Sequence, residues 1–454
     1  MVEGNINCPF GRGVIPIMAN SQEELRDLSP EEEAFRVRVT RAMLRLDDWF
    51  ETMRQPEGYG GPVVHWWRHS LRYTGAAVDW RYEGILAGYA RLAQSQNEWR
   101  WRDRLSRAME DVRRSQTPEG SYRASRFEQN PGTHGTPHEA AASLGLLLAL
   151  RSGRDDDWVR DVVGRNVDHL IAMYWDDGRK TFNDHPTQVG FVPNKLATLA
   201  ETLIEWGMLV ENEDYWVKAK AALDTVLRYQ VNEGPWIGAV HQYAPKGQEG
   251  DGRFFPYYNA RCVPALLKAA QVFSNPAYRE AAEAILGFLD KSMLVNGSWP
   301  QVVYASGQVA DGPRWVAGSA DVLRAYWLSG RKVPERSFLR LLHGQMLSGA
   351  FSVAEGFAGF RVVPAWYDVM PVTGWNDKVL RFFAEWLGDR PLPVQEPQKM
   401  ETVDGAVRIA GRQQARWVET PKKCELLARD GTPLYRWQKS EPWAWVDSPL
   451  IAEG

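Results

Sequence analysis

Residues 65 to 84, HWWRHSLRYTGAAVDWRYEG, gather two imidazoles (His65, His69), three indoles (Trp66, Trp67, Trp80) and two carboxylates (Asp79, Glu83). Carboxylates four apart on a helix share a face, here with Ala76, Ala87 and Ala90. Two of them in a part-buried site repel, so one is expected to keep its proton near neutral pH. That sets a general acid beside a general base or nucleophile. The competing role is neutralisation by Arg72 or Arg81.

Further candidates follow along the chain. Glu139 stands after TPH, where Thr136, Pro137 and Glu139 have the spacing of a capping box with proline at the first helical position. Capping accounts for Glu139, yet that helix end and His138 are expected to face the same site. YYNARC supplies Tyr258, Arg261 and Cys262, and GPRWVAGSAD supplies Arg314, Trp315 and Asp321. Two arginines suit an anionic substrate through bidentate contacts. PVTGWNDK adds Trp375, Asn376 and Asp377; the last two also make sense as first-turn residues favoured by the helix dipole. Asp321 lies further inside its helix, where capping does not explain it.

HWWRH and HGTPH both carry histidines at i and i+4, a spacing that binds zinc on a helix. Pro137 starts a helix, which leaves His134 outside it, and Cys262 stands alone, so no metal is expected. DDDWVRD (155–161) reads as the acidic first turn of an outer helix, at the end opposite the site. Phosphate-gripping glycine loops, nucleophile elbows and dinucleotide fingerprints are absent, and no cofactor is expected.

These residues need a scaffold, and an internal repeat provides one. Turns with a glycine and a nearby aromatic recur at Gly58, Gly120, Gly178, Gly234, Gly297 and Gly349, with gaps of 62, 58, 56, 63 and 52 residues. Before each glycine lies an amphipathic helix. Ser29, Pro30 and three glutamates open one, and Asn275 with Pro276 opens another. Val159, Val163, Val167, Leu170 and Tyr174 form a stripe on a third. After each glycine comes a polar loop and then an Ala/Gly-rich helix, apolar on most sides: 75–93, 138–153, 192–210, 258–273, 314–330 and 375–388. Six outer helices alternating with six buried ones define an all-α (α/α)6 toroid. The long loops collect at one mouth, with His65, His69, His134, His138, His185 and His241 among them. Loops on a rigid scaffold are where sites sit.

Composition narrows the partners. The 454 residues carry a formal net charge of -3, without the basic excess that nucleic-acid binding needs. No apolar run spans a bilayer, no signal peptide is legible, and the three cysteines, Cys8, Cys262 and Cys424, lie far apart. A cytoplasmic protein is expected; its oligomeric state is left open. The 21 tryptophans serve either as core or as rings that stack on sugars, isoprenoids or cations. Past DRPLPVQEPQK the pattern turns to short strands with Asp-Gly turns. The expected domains are an N-terminal extension (1–29), the toroid (30–390) and a small β appendage (391–454).

The hairpin pattern with Q-x-x-E-G-x-aromatic turns resembles the (α/α)6 carbohydrate-active enzymes: uronyl hydrolases, other glycoside hydrolases, sugar epimerases and polysaccharide lyases. RSQTPEGSY followed by HEAAASLGLLLAL is similar to segments of the uronyl hydrolases. YQVNEGPW and MLVNGSW also resemble the QW repeats of terpenoid cyclases and prenyltransferases, although the D-x-D-D acid motif is absent. The first resemblance implies hydrolase or lyase chemistry on an oligosaccharide, with an acidic one expected from the arginines. Asp79 and Glu139 would act with Asp321 or Asp377 opposite; Glu83 and His138 complete the catalytic set. His65, Trp66, Trp67, His69, Trp80, His241, Tyr258, Arg261, Arg314, Trp315 and Trp375 would hold the substrate. A lyase or epimerase would use His138, Tyr258 or His241 as proton shuttles, with Arg261 or Arg314 on a carboxylate. The alternatives are a terpenoid cyclase, whose indoles stabilise carbocations, and a toroid that binds a glycan without turning it over.

Overall fold

The structure is a computed structural model. It describes residues 27–65, 70–74, 78–123, 139–153, 156–187, 190–245, 250–310, 312–346, 348–355 and 371–395, together with five strands between 400 and 438. Of 61–65, 70–74 and those five strands only the backbone is described. The call of an N-terminal extension falls on residues mostly outside these limits.

Outer and inner helices alternate as the repeat requires. The outer ones are α1 (Pro30–Thr52), α3 (Trp99–Ser115), α5 (Asp157–Tyr174), α7 (Glu213–Arg228), α10 (Pro276–Ser292) and α12 (Glu335–His343). The inner ones are α2 (Arg81–Ser95), α4 (Ala140–Arg151), α6 (Pro193–Val210), the pair α8 (Pro256–Ala260) and α9 (Val263–Val272), α11 (Ser319–Ser329) and α13 (Thr373–Leu387). Each inner helix packs on the next, α2 on α4, α6, α9, α11 and α13 in turn, and α13 returns to α2. That closed ring is the (α/α)6 toroid. Ser29 and Glu32 make a capping box at α1, and Asn275 caps α10 ahead of Pro276. Val159, Val163, Val167, Leu170 and Tyr174 are all buried along α5.

Several expected bounds shift. The first inner helix opens at Arg81, six residues later than expected, the second at Ala140, and the fifth only at Ser319. The fourth breaks into α8 and α9 around Arg261 and Cys262. Beyond 400, β1 (Met400–Val403), β2 (Ala406–Ile409), β3 (Arg412–Glu419), β4 (Lys423–Ala428) and β5 (Pro433–Gln438) form an antiparallel sheet in chain order.

The repeated turn motif has a mechanical origin. The Gln116 side-chain amide donates to Gly120 O at 3.2 Å and to Val162 O on the next outer helix at 2.7 Å. Gln230 does the same to Gly238 O and Ala281 O, both at 2.9 Å. Gln345 reaches Gly349 O at 2.8 Å and Ala42 O of α1 at 2.7 Å, which closes the ring. Gly120, Gly238 and Gly349 have φ of +94°, +90° and +97°. A Cβ there would lie 2.1–2.3 Å from a carbonyl oxygen of the neighbouring outer helix, so only glycine fits. The structure thereby corrects two turn positions. The fourth is Gly238, since Gly234 touches nothing, and the third is Lys180, at φ +52°. The gaps between positions 58, 120, 180, 238, 297 and 349 become 62, 60, 58, 59 and 52 residues.

Candidate active site at the mouth of the toroid

Connections from inner to outer helices are short, whereas those from outer to inner are long and gather at the inner N-termini. At that end Asp79 sits in the turn before α2, not on its face. Its carboxylate accepts from the Arg81 backbone N–H at 3.0 Å and from the guanidinium Nε and Nη2, each at 2.8 Å. The expected Asp79–Glu83 pair is therefore dissolved by the first turn, and the Arg81 alternative holds. Ala76 and Arg72 lie where no side chain is described.

Glu83 is the hub of a buried ionic cluster. Arg261 contacts its two oxygens at 3.3 and 2.5 Å, Arg381 at 2.6 Å and Lys378 at 3.4 Å. Burial alone would raise the Glu83 carboxyl, but Arg261, Lys378 and Arg381 hold it well below the usual range. A carboxylate so held neither donates nor accepts a proton near neutrality, so Glu83 is corrected from acid or base to scaffold. Asp321 accepts from Arg261 at 3.1 Å. Arg261 is thus committed to Glu83 and Asp321, with Thr198 Oγ1 at 3.3 Å, rather than presented to a substrate carboxylate.

The carboxyl that burial raises here is Asp377 rather than Glu83. Asp377 lies in the second turn of α13, fully buried, with Oδ2 taking the Gly84 N–H at 3.1 Å and Lys378 at 2.7 Å. Its Oδ1 has no partner. Burial pushes it up to about 7 against Lys378, helped by Asp321 and Glu83. Asn376 closes the first turn of α13, which begins at Thr373, and Asp377 lies just beyond it. Asn376 clasps Phe351, accepting its N–H at 2.7 Å and donating to its carbonyl at 3.0 Å. Asn259 clasps Val240 in the same way, at 2.6 and 3.0 Å.

Glu139 holds the corresponding bond at α4. Its Oε1 accepts the Tyr122 N–H at 3.0 Å and the Asn166 amide at 2.8 Å. It precedes the first residue of α4 and has no capping bond there, so its bonds do not match the expected box; Thr136 and Pro137 lie outside the described residues. Burial raises its carboxyl to about 7, more than these two hydrogen bonds lower it.

An aromatic layer covers the cluster. Tyr257 stacks on Trp375 with centroids 4.7 Å apart and planes 15° apart, and Trp315 meets Trp375 at 4.6 Å. Gly318 admits the Trp375 ring, which a Cβ would approach to 2.1 Å. Gly374 likewise makes room for Trp80, whose carbonyl accepts from Lys378 at 2.9 Å. Tyr258 packs beside Tyr257 at 5.1 Å. Burial, reinforced by Asp321, keeps the Tyr257 hydroxyl protonated.

His241 Nδ1 accepts the Gly252 N–H at 3.0 Å, which assigns the proton of a neutral ring to Nε2. Arg314 and Trp315 lie in a two-residue ladder with Glu355 and Ala354 rather than in α11. Trp66, Trp67, His69 and His138 lie outside the described residues, and His65 is described as backbone alone, in the hairpin Gly61–His65/Ser70–Thr74. Burial pushes the Cys262 thiol up to about 12, which disfavours the thiolate a metal needs. No group of His, Cys, Asp and Glu able to hold a metal occurs among the described residues, and none of their helices is long and apolar enough to cross a membrane. Sequence reasoning missed Lys378, Arg381, Tyr257, Asn166 and Lys195, the last paired with Asp184 at 2.8 Å. The available signal was charge inside helices read as apolar.

No family model matches the sequence, and no curated protein matches it. Solved structures do. A D-mannose isomerase superposes with a TM-score of 0.58 at 14% identity, over 78% of this chain and 97% of that one. A sugar epimerase from a ruminal bacterium gives 0.58 at 14%, over 77% and 97%. An unsaturated glucuronyl hydrolase specific for heparin gives 0.56 at 10%, over 77% and 96%. At these identities the similarity shows the fold: the chain has the (α/α)6 toroid of these carbohydrate-active enzymes, as the sequence resemblance implied.

Proposed function

We propose that this protein is a carbohydrate-active enzyme that cleaves an oligosaccharide at the toroid mouth, with Glu139 as the general acid. The observation that carries this is Glu139 itself. It is a carboxyl at the N-terminal end of an inner helix, held at about 7 by burial, and it accepts from two neutral donors, the Tyr122 N–H and the Asn166 amide. A group that keeps its proton near neutrality can deliver it to a leaving oxygen. Asp79, oriented by Arg81, is the partner carboxylate. Tyr257, Trp375 and Trp315 offer rings on which a sugar face stacks. The strand-rich segment from 391 onward is assigned as an appendage without catalytic residues.

The same fold serves isomerases and epimerases by the names of its structural neighbours. His241, whose neutral ring carries its proton on Nε2, is the group such a reaction would use. The cyclase reading stays as the alternative; of its two QW-like segments, YQVNEGPW carries the Gln230 staple between helices. One experiment separates the outcomes. Incubate the protein with neutral and uronic oligosaccharides in deuterated water and follow products by NMR. New reducing ends in the wild type, lost in Glu139→Gln, are expected. Deuterium entering the sugar without cleavage would replace hydrolysis by isomerisation; thermal stabilisation by isoprenoids alone would sink the carbohydrate reading.

A further inference from the structure

A second cleft, of about 590 Å³, lies on the outer rim, lined by Asn296, Arg336, Leu339, Arg340, His343 and Glu355 among others. Arg336, Arg340 and His343 recur at i, i+4 and i+7 on α12, beside the stripe of Ser337, Phe338, Leu341 and Leu342 that α12 buries. Two of these three are fixed by the protein before any ligand arrives. Arg336 donates to Val295 O, in the turn that also carries Asn296. Arg340 pairs with Glu355, while its Nε is buried without a partner.

The cleft is joined to the mouth by one thin wall. In the ladder of Arg314–Trp315 with Ala354–Glu355, Arg314 faces Glu355 and Trp315 faces Ala354. Successive residues of a strand point to opposite sides. Glu355 therefore borders the rim cleft, whereas Trp315 turns the other way, onto Trp375 of the aromatic layer. Gly344 packs tightly against this wall, since a Cβ there would come within 2.2 Å of Val316.

We propose that this cleft is an accessory site for an acidic monosaccharide unit, such as a uronate, distinct from the mouth. Arg336 and His343 supply donors for a carboxylate, while Arg340 is held by Glu355 in the wall of the cleft. Glu335, Glu355 and Asn296 supply acceptors for ring hydroxyls. The volume falls in the range of small-ligand sites, about 300–1,000 Å³, and exceeds what a bare oxyanion fills. Two carboxylates in the lining also disfavour a dianion such as phosphate while accepting from a polyol. The inference stands on this cleft alone and not on the role of Glu139.

The test is calorimetric titration with glucuronate, glucose and inorganic phosphate, with hydrogen exchange across residues 335–344 as the local reporter. Glucuronate is expected to bind and to protect α12, with glucose at least tenfold weaker. Arg336 and His343 are exposed, so the double variant Arg336→Ala/His343→Ala should fold normally and lose affinity about tenfold or more. Glu139→Gln should retain the protection of α12, which separates this site from the mouth. Protection of α12 that is absent, or undiminished in the double variant, overturns the proposal. Equal protection by phosphate overturns the saccharide assignment. Oligosaccharide cleavage that persists without any α12 protection leaves the catalytic reading intact and removes this one.

Discussion

Half-buried Glu139 and fully buried Asp377 are both carboxyls raised to about 7, yet they sit in opposite electrostatic settings. Asp377 lies beneath the aromatic layer, bonded to Lys378 and facing the charges of Asp321 and Glu83. Its proton settles the charge of a packed cluster. Glu139 accepts from a backbone N–H and a side-chain amide. Asn259 and Asn376 meet the corresponding backbone segments with an amide, which both donates and accepts. At Glu139 both bonds are accepted by one oxygen, a role that an amide oxygen fills equally well. A carboxyl retained where an amide would suffice points to chemistry, whereas a carboxyl inside an ion cluster points to architecture.

Substitution at Glu139 is the sharpest way to break this comparison. Glu139→Gln keeps the acceptor for Tyr122 and removes the acid, so turnover should fall by 10²–10⁴-fold with folding retained. In the wild type, kcat/KM should decline above about pH 7 as Glu139 loses its proton. An unchanged rate would make Glu139 as structural as the asparagines.

Next in size is the cluster around Asp377. Glu83→Leu leaves Arg261, Lys378 and Arg381 short of their shared partner, and removing one side of a buried pair costs about 3–5 kcal/mol. Denaturant titration should show that loss directly. A neutral result would mean that the cluster relaxes around the gap.

The pH dependence of stability gives a smaller and more discriminating effect. A carboxyl raised in the folded state stabilises fully below its unfolded value near 4, and that contribution is lost as pH rises through about 7. Wild-type stability should therefore fall between pH 4 and 7, by up to about 1.4 kcal/mol per pH unit for each such group. Asp377→Asn and Glu139→Gln should each flatten the slope, but only the second should abolish turnover. If Asp377→Asn also abolishes it, the distinction between the two carboxyls collapses.

The staples provide the smallest expected change. Gln345→Leu removes two hydrogen bonds at the ring closure, each worth about 1 kcal/mol, and should lower the melting temperature by several degrees without altering the pH profile. A shift in that profile would mean that closure tension reaches the mouth.

The ring was legible in the sequence because each unit repeats the same order of amphipathic helix, turn and apolar helix. Its register was less legible: Lys180 occupies a position that glycine takes elsewhere, and Gly234 offered a decoy four residues before Gly238. Asp321, Asp377, Trp315 and Trp375 were correctly drawn to one region, because helix starts and aromatic loops point to a mouth. The pairing of charges was not legible. Glu83 finds Arg261, Lys378 and Arg381 across 178 to 298 positions, and no local spacing encodes which cations reach a carboxylate through a closed ring. Asp79 was misplaced for the opposite reason, since a bond to a residue two positions away stopped the helix.

The Gln345 clasp on α1 also sets a timetable for biosynthesis. Its bond to Ala42 O joins residues 303 positions apart, and Arg36 of α1 donates to Leu387 O at 2.6 Å across 351. α1 is thus made well before the residues that cover its flank. At about 5–20 residues per second, that flank waits on the order of tens of seconds for α13. A nascent chain with this topology has to shield α1 until α13 is made, and Phe35, whose ring meets Trp386 and Phe338 in the folded ring, is among the apolar residues left waiting.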